Sequence, residues 1–214
     1  MSEDIAAFYE DEESPIIPSE AKSFSIQFAR VISNALSPVT ISLPFVLLVA
    51  LYHAQPAAIP FAGLTLFFLS VGPVVYITVG VSLGKFSDLD VSVRSQRTGP
   101  FLFSMASTLI GLSLLLFLHG PKNLETLLLI TLVCHCLMMV TTFWWKISMH
   151  ASSISGAVTM LAMLYGIIIL PAYLLVVLVA WSRVVLRRHT LAQVTAGALL
   201  SSTITTLMLL WRGV

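Results

Sequence analysis

After Glu20 the chain carries only three carboxylates, Asp88, Asp90 and Glu125. A magnesium–diphosphate site needs acidic ligands from two motifs, and Ser87-Asp88-Leu89-Asp90 has no second acid-rich partner, which argues against such a site. Charge of either sign is scarce, at 10% of 214 residues, where a soluble domain holds about 25%. The two cysteines, Cys134 and Cys136, lie in one apolar run. So close a pair makes a strained disulfide, and both read as small buried hydrophobes. The net charge of +1, with no basic patch interleaved with aromatics, gives no nucleic-acid partner. Strict alternation of apolar and polar residues is absent, which excludes a membrane β-barrel.

Long uncharged runs are what the chain has instead. Residues 31–84, 98–121, 126–145, 147–182 and 189–211 contain no Lys, Arg, Asp or Glu. A spanning helix needs about 20 mainly apolar residues, and only helices or closed barrels satisfy their backbone in lipid. The expectation is an all-α, polytopic integral-membrane bundle of six or seven spans, near 37–54, 58–84, 100–119, 124–145, 150–168, 170–183 and 190–211. Gln55-Pro56, Gly120-Pro121-Lys122-Asn123 and Leu170-Pro171 are the expected turns. Ahead of this 37–214 domain, residues 1–20 hold seven acids before the first Lys. They read as a disordered acidic tail, either a solubilising segment or a docking segment for a protein partner. Residues 21–36 read as an amphipathic interfacial helix, with Phe24, Phe28, Val31 and Ala35 on one face.

Alternating spans sort the charges. Lys22, Arg30, Lys85, Arg94, Arg97, Lys146, Arg183, Arg187 and Arg188 fall on one side, and Lys122 and Arg212 on the other. By the positive-inside bias the first side, which includes the N-terminus, faces the cytoplasm. Three polar segments meet there: 85–100, 146–153 and 182–193. The last packs three Arg and His189 into the eight residues from Ser182. Arg offers forked donors for phosphate oxygens, and His can attack or exchange a proton near neutral pH. Phosphate-ester chemistry needs cationic donors, an in-line nucleophile and an acid for the leaving oxygen. Phe143-Trp144-Trp145 reads as an interfacial aromatic belt. His135, mid-span between the two Cys, reads as a structural histidine, and His53 and His119 lie at the opposite interface.

The arrangement resembles the type-2 phosphatidic acid phosphatase superfamily, which includes vanadium haloperoxidases. That family carries Lys-x6-Arg-Pro, Pro-Ser-Gly-His and Ser-Arg-x5-His-x3-Asp. Ser182-Arg183, His189 and Gln193 match the third spacing. Ile147-Ser148-Met149-His150 keeps the Ser and His of the second. In the first, Arg97 supplies the Arg, but Asp90 stands where the Lys belongs and Pro100 comes two residues late. The resemblance implies that His189 attacks phosphorus and forms a phosphohistidine. It implies that His150 protonates the leaving group, that Arg183 and Arg97 bind phosphoryl oxygens and that Ser148 donates to them, without metal or cofactor. Gln193 replaces the Asp that orients the nucleophile. Lys146, on the helical face of His150, or Arg94 would replace the missing Lys. The expected function is an integral-membrane phosphatase for a phospholipid or isoprenyl (di)phosphate in the bilayer. The alternative, fed by Gln193 and Asp90, is a catalytically inactive structural or interaction subunit of a membrane complex.

Overall fold

The computed structural model describes residues 24–53, 58–91 and 93–214. The acidic tail, the start of the amphipathic helix and the Gln55-Pro56 turn lie outside them. Every regular element among the described residues is helical. In chain order these are α1 (Phe24–Ala35), α2 (Pro38–Leu51), α3 (Ala58–Leu66), a π-helical turn (Phe67–Val71) and α4 (Gly72–Ser82). A short 3-10 turn (Arg94–Gln96), α5 (Thr98–Phe117), α6 (Lys122–Thr142) and α7 (Met149–Tyr165) follow. A 3-10 run (Gly166–Ala172), α8 (Tyr173–Val185) and α9 (Leu191–Arg212) complete the bundle.

Five helical segments among these residues are long and apolar enough to cross a membrane, or six if the α1–α2 pair, bent by 44°, counts as one span. The segment Met149–Val185 is 37 residues long and doubles back on itself, since α8 packs along α7. The reversal sits at Gly166, with φ 76° and ψ −153°, a conformation open to glycine and hardly to any other residue. The turn expected at Leu170-Pro171 is therefore four residues early. Pro171 lies inside the 3-10 run instead, two residues ahead of α8. Lys122 and Asn123, expected in a turn, are the first residues of α6.

Local chemistry explains several boundaries. The Ser37 hydroxyl caps α2 by accepting from the Thr40 N–H at 3.2 Å, with Pro38 in the first turn. The π turn precedes Pro73. Gly72 N–H bonds the Phe67 carbonyl, but Pro73 has no N–H to offer Phe68 in the same pattern. The Ser107 hydroxyl of α5 donates to the Phe68 carbonyl instead, at 2.7 Å. α7 and α9 pack most intimately, and small residues permit it. A Cβ on Gly197 would lie 2.7 Å from the Ser148 carbonyl oxygen.

The two ends of the bundle differ. At one end Val49, Leu115, Leu124, Leu128 and Leu209 form a closed core. Polar ties finish it: Arg212 pairs with Glu125 at 2.7 Å, the Tyr165 hydroxyl donates to the Leu48 carbonyl at 2.8 Å, and Asn123 donates to the Tyr52 carbonyl at 3.3 Å. From the other end a cavity reaches down to Leu127, Ile130 and Met160 of that same core. On α1, Phe24, Phe28, Val31 and Ala35 are exposed, while Ala29, Ile32 and Ser33 are buried. α1 packs along α8, with Phe28 against Trp181.

Candidate active site

The 182–193 segment folds by its own backbone. The Arg183 carbonyl, near the end of α8, accepts from both Arg188 N–H at 3.0 Å and His189 N–H at 3.3 Å. Arg187 takes a left-handed φ of 51° to close that turn. The five-residue spacer thus brings His189 back over Arg183. Thr190 then starts α9: its hydroxyl accepts from Gln193 N–H at 3.3 Å, and Gln193 Oε1 accepts from Thr190 N–H at 3.2 Å. This is a capping box.

The same Gln193 Oε1 lies 3.2 Å from His189 Nδ1. A backbone N–H already fixes that atom as an acceptor, so Nδ1 carries the proton and Nε2 keeps its lone pair. Burial, then the Lys146 and Arg183 cations, push the His189 imidazole down to about 3, against the opposing pull of Gln193. His189 is neutral at physiological pH. Burial, then Arg97, Arg183 and Arg188, also lower Lys146 below the usual ammonium range.

Arg183 is 4% exposed. Its Nη1 donates to Ser33 of α1 at 2.8 Å and to Asp90 at 3.1 Å, and its Nε is buried without a partner. Arg97, also buried, donates from Nε to the Val91 carbonyl at 3.0 Å and from Nη1 to the Ile147 carbonyl at 3.4 Å. It pins the 83–91 loop to the segment before α7. Val91 has φ 45°, a strained value for a β-branched residue, and the turn there sets Asp90 against Arg183.

Arg97, Arg183, His150 and His189 all line one cavity of about 610 Å³. Its deeper walls are apolar, with Phe45, Leu69, Ile77, Leu127, Ile130 and Met160. α2 and α4 both contribute to its walls, and α4 packs on α5 and the π turn. Among the described residues no three His, Cys, Asp or Glu side chains gather as metal donors.

Other expected site residues fall elsewhere. Ser148 is fully buried, and its hydroxyl accepts from Ala151 N–H at 3.4 Å as the cap of α7. It does not line the cavity. Arg94 donates to the Trp144 carbonyl at 3.2 Å and lines a separate, smaller pocket. Lys146 precedes the cap of α7, so it shares no helical face with His150, although its charge reaches His189. Ser33, Ser152, Ser153 and His135 face the site region without having been singled out for it, and Asp90, which stands at the first motif's Lys position, pairs with Arg183.

No protein-family model, curated protein or solved structure matches the chain. Function therefore rests on the chemistry of this cavity.

Proposed function

We propose that the protein is an integral-membrane lipid phosphate phosphatase, similar in motif to the type-2 phosphatidic acid phosphatases. The observation that supports it most is a pairing in one cavity. His189 is held as a neutral imidazole with a free Nε2, and Arg183 offers a buried, unpartnered Nε donor. A buried donor without an acceptor calls for a ligand oxygen.

In this mechanism Arg183 and Arg97 hold the phosphoryl oxygens. His189 Nε2 attacks phosphorus, a P–N bond forms and the bond to the leaving oxygen breaks. His150, entering the step as the imidazolium, gives that oxygen its proton and becomes neutral. Water then attacks the phosphohistidine, His150 takes the water's proton, and inorganic phosphate leaves. Gln193 orients the nucleophile. The lipid tail occupies the apolar depth.

The test is inorganic phosphate release by the purified protein from a panel of lipid phosphates and diphosphates, with EDTA present. His189→Ala abolishes release and removes an acid-labile phosphoprotein that the parent forms. Full activity in His189→Ala would sink the assignment. A second reading, a non-catalytic subunit of a membrane complex, is favoured by Asp90, which occupies an Arg183 N–H that a phosphate would need. It predicts a parent silent toward the whole panel.

A further inference from the structure

Arg183 of α8 reaches across to α1, where its Nη1 donates to the Ser33 hydroxyl at 2.8 Å. Both residues are buried, Ser33 at 3% and Arg183 at 4% exposure. Ser33 belongs to the stripe Ala29, Ile32 and Ser33 that α1 buries, and α1 packs along α8. It is the polar member of that stripe, and a buried hydroxyl costs free energy unless it is bonded. A mid-helix serine can turn its own O–H onto a carbonyl one turn back, which leaves a lone pair for an incoming donor. Arg183 and Asp90 line the cavity, whereas Ser33 does not. Ser33 therefore reaches a phosphoryl group only through Arg183.

Two acceptors of different kinds share Nη1, which carries one N–H for each. Asp90 takes the second at 3.1 Å, from a side chain 38% exposed. A carboxylate bonds a guanidinium roughly twice as strongly as a neutral oxygen does, and it offsets the positive charge. An incoming phosphate has to displace it, and water can then solvate the half-exposed Asp90. Ser33 is neutral, so it holds the guanidinium without cancelling the charge that a phosphate needs. It is also seated on a helix, while Asp90 sits beside the strained Val91 turn. With Ser33 gone, the carboxylate would draw the long, flexible Arg183 side chain to itself. We infer that Ser33 is a positioning residue, which anchors Arg183 against the pull of Asp90 and keeps the guanidinium poised for the phosphoryl oxygens. This rests on the phosphatase assignment for what Arg183 holds.

The experiment uses the full chain as the parent, Ser33→Ala, Asp90→Asn and the double variant. Phosphate release from the lipid phosphate panel, calorimetric binding of inorganic phosphate and the thermal midpoint are measured for each. Ser33→Ala raises KM about tenfold and leaves kcat within about twofold, as losing one bond that positions a charged group equally in ground and transition states predicts. In the Asp90→Asn background the same change raises KM by only about twofold, because the two side chains act on one nitrogen and the competing charge is gone. A KM unchanged in Ser33→Ala, an equal rise in both backgrounds, or a lower thermal midpoint and kcat at constant KM overturns the role of Ser33 and leaves the phosphatase standing. Inorganic phosphate bound by the parent and about tenfold more weakly by Ser33→Ala, with no lipid phosphate hydrolysed, does the reverse. Neither release nor phosphate binding in the parent overturns both.

Discussion

Gln193 performs two tasks with one oxygen, fixing the His189 tautomer and closing the cap of α9. It supplies no negative charge, so nothing favours the imidazolium, and His189 is expected to stay neutral across about pH 5 to 8. The parent's kcat/KM therefore shows no acid limb from this group. Gln193→Asp places an anion beside the ring. That stabilises the imidazolium and moves the His189 value up towards the ordinary 6.5. An acid limb then enters the same pH window, and kcat rises. A pH–rate profile identical in both proteins would count against His189 as the nucleophile. Asp90→Asn releases Arg183 from a half-exposed carboxylate. The expected result is a KM lower by roughly fivefold, about 1 kcal/mol, for a pair of which one member is solvent-screened. Measured KM unchanged or raised would mean that Arg183 does not meet the phosphate. Arg183 and His189 were legible from their spacing because one local turn joins them. The partners of Arg183 were not, because Ser33 lies 150 residues away and Asp90 93 residues away. Their meeting depends on how α1 and a strained loop pack, which no local pattern encodes.

Among the elements, the α7–α9 contact carries the site, since Ser148 N–H also reaches the Gln193 carbonyl at 3.3 Å. Gly197→Leu would drive its side chain into the Ser148 backbone. It should cost about 1–3 kcal/mol and lower phosphate release in the fraction that folds, read by thermal unfolding and activity side by side. Gly166→Ala should also destabilise, by about 1–3 kcal/mol for a strained backbone. Gly166 lies at the closed end, so the folded fraction should keep the parent's kcat. A kcat that falls in proportion for both variants would contradict the separation of site from scaffold. The helices themselves were legible because uncharged length and hydropathy define them. The break after α7 was not, because Pro171 gives a louder local signal than Gly166 and only the backbone angle decides between them.

At the scale of the whole molecule, sorting charges by alternating passes puts three polar segments on one side, and Arg97, His150, Arg183 and His189 from those segments line one cavity. Which side of the membrane they face is open to direct measurement. With Cys134 and Cys136 replaced, single cysteines at the exposed positions Ser95 and Trp144 should label from the cytoplasmic side, and one at Lys122 from the other. Labelling of Ser95 and Lys122 from the same side would break the alternation. The polar ties among Arg212, Glu125, Tyr165 and Asn123 close only the end away from the cavity. The cavity end has its own ties, from Arg183 to Ser33 and Asp90 and from Arg97 to the Val91 and Ile147 carbonyls. The bundle is thus fastened twice, by two sets of cations with no member in common, and loosening one fastening leaves the other in place.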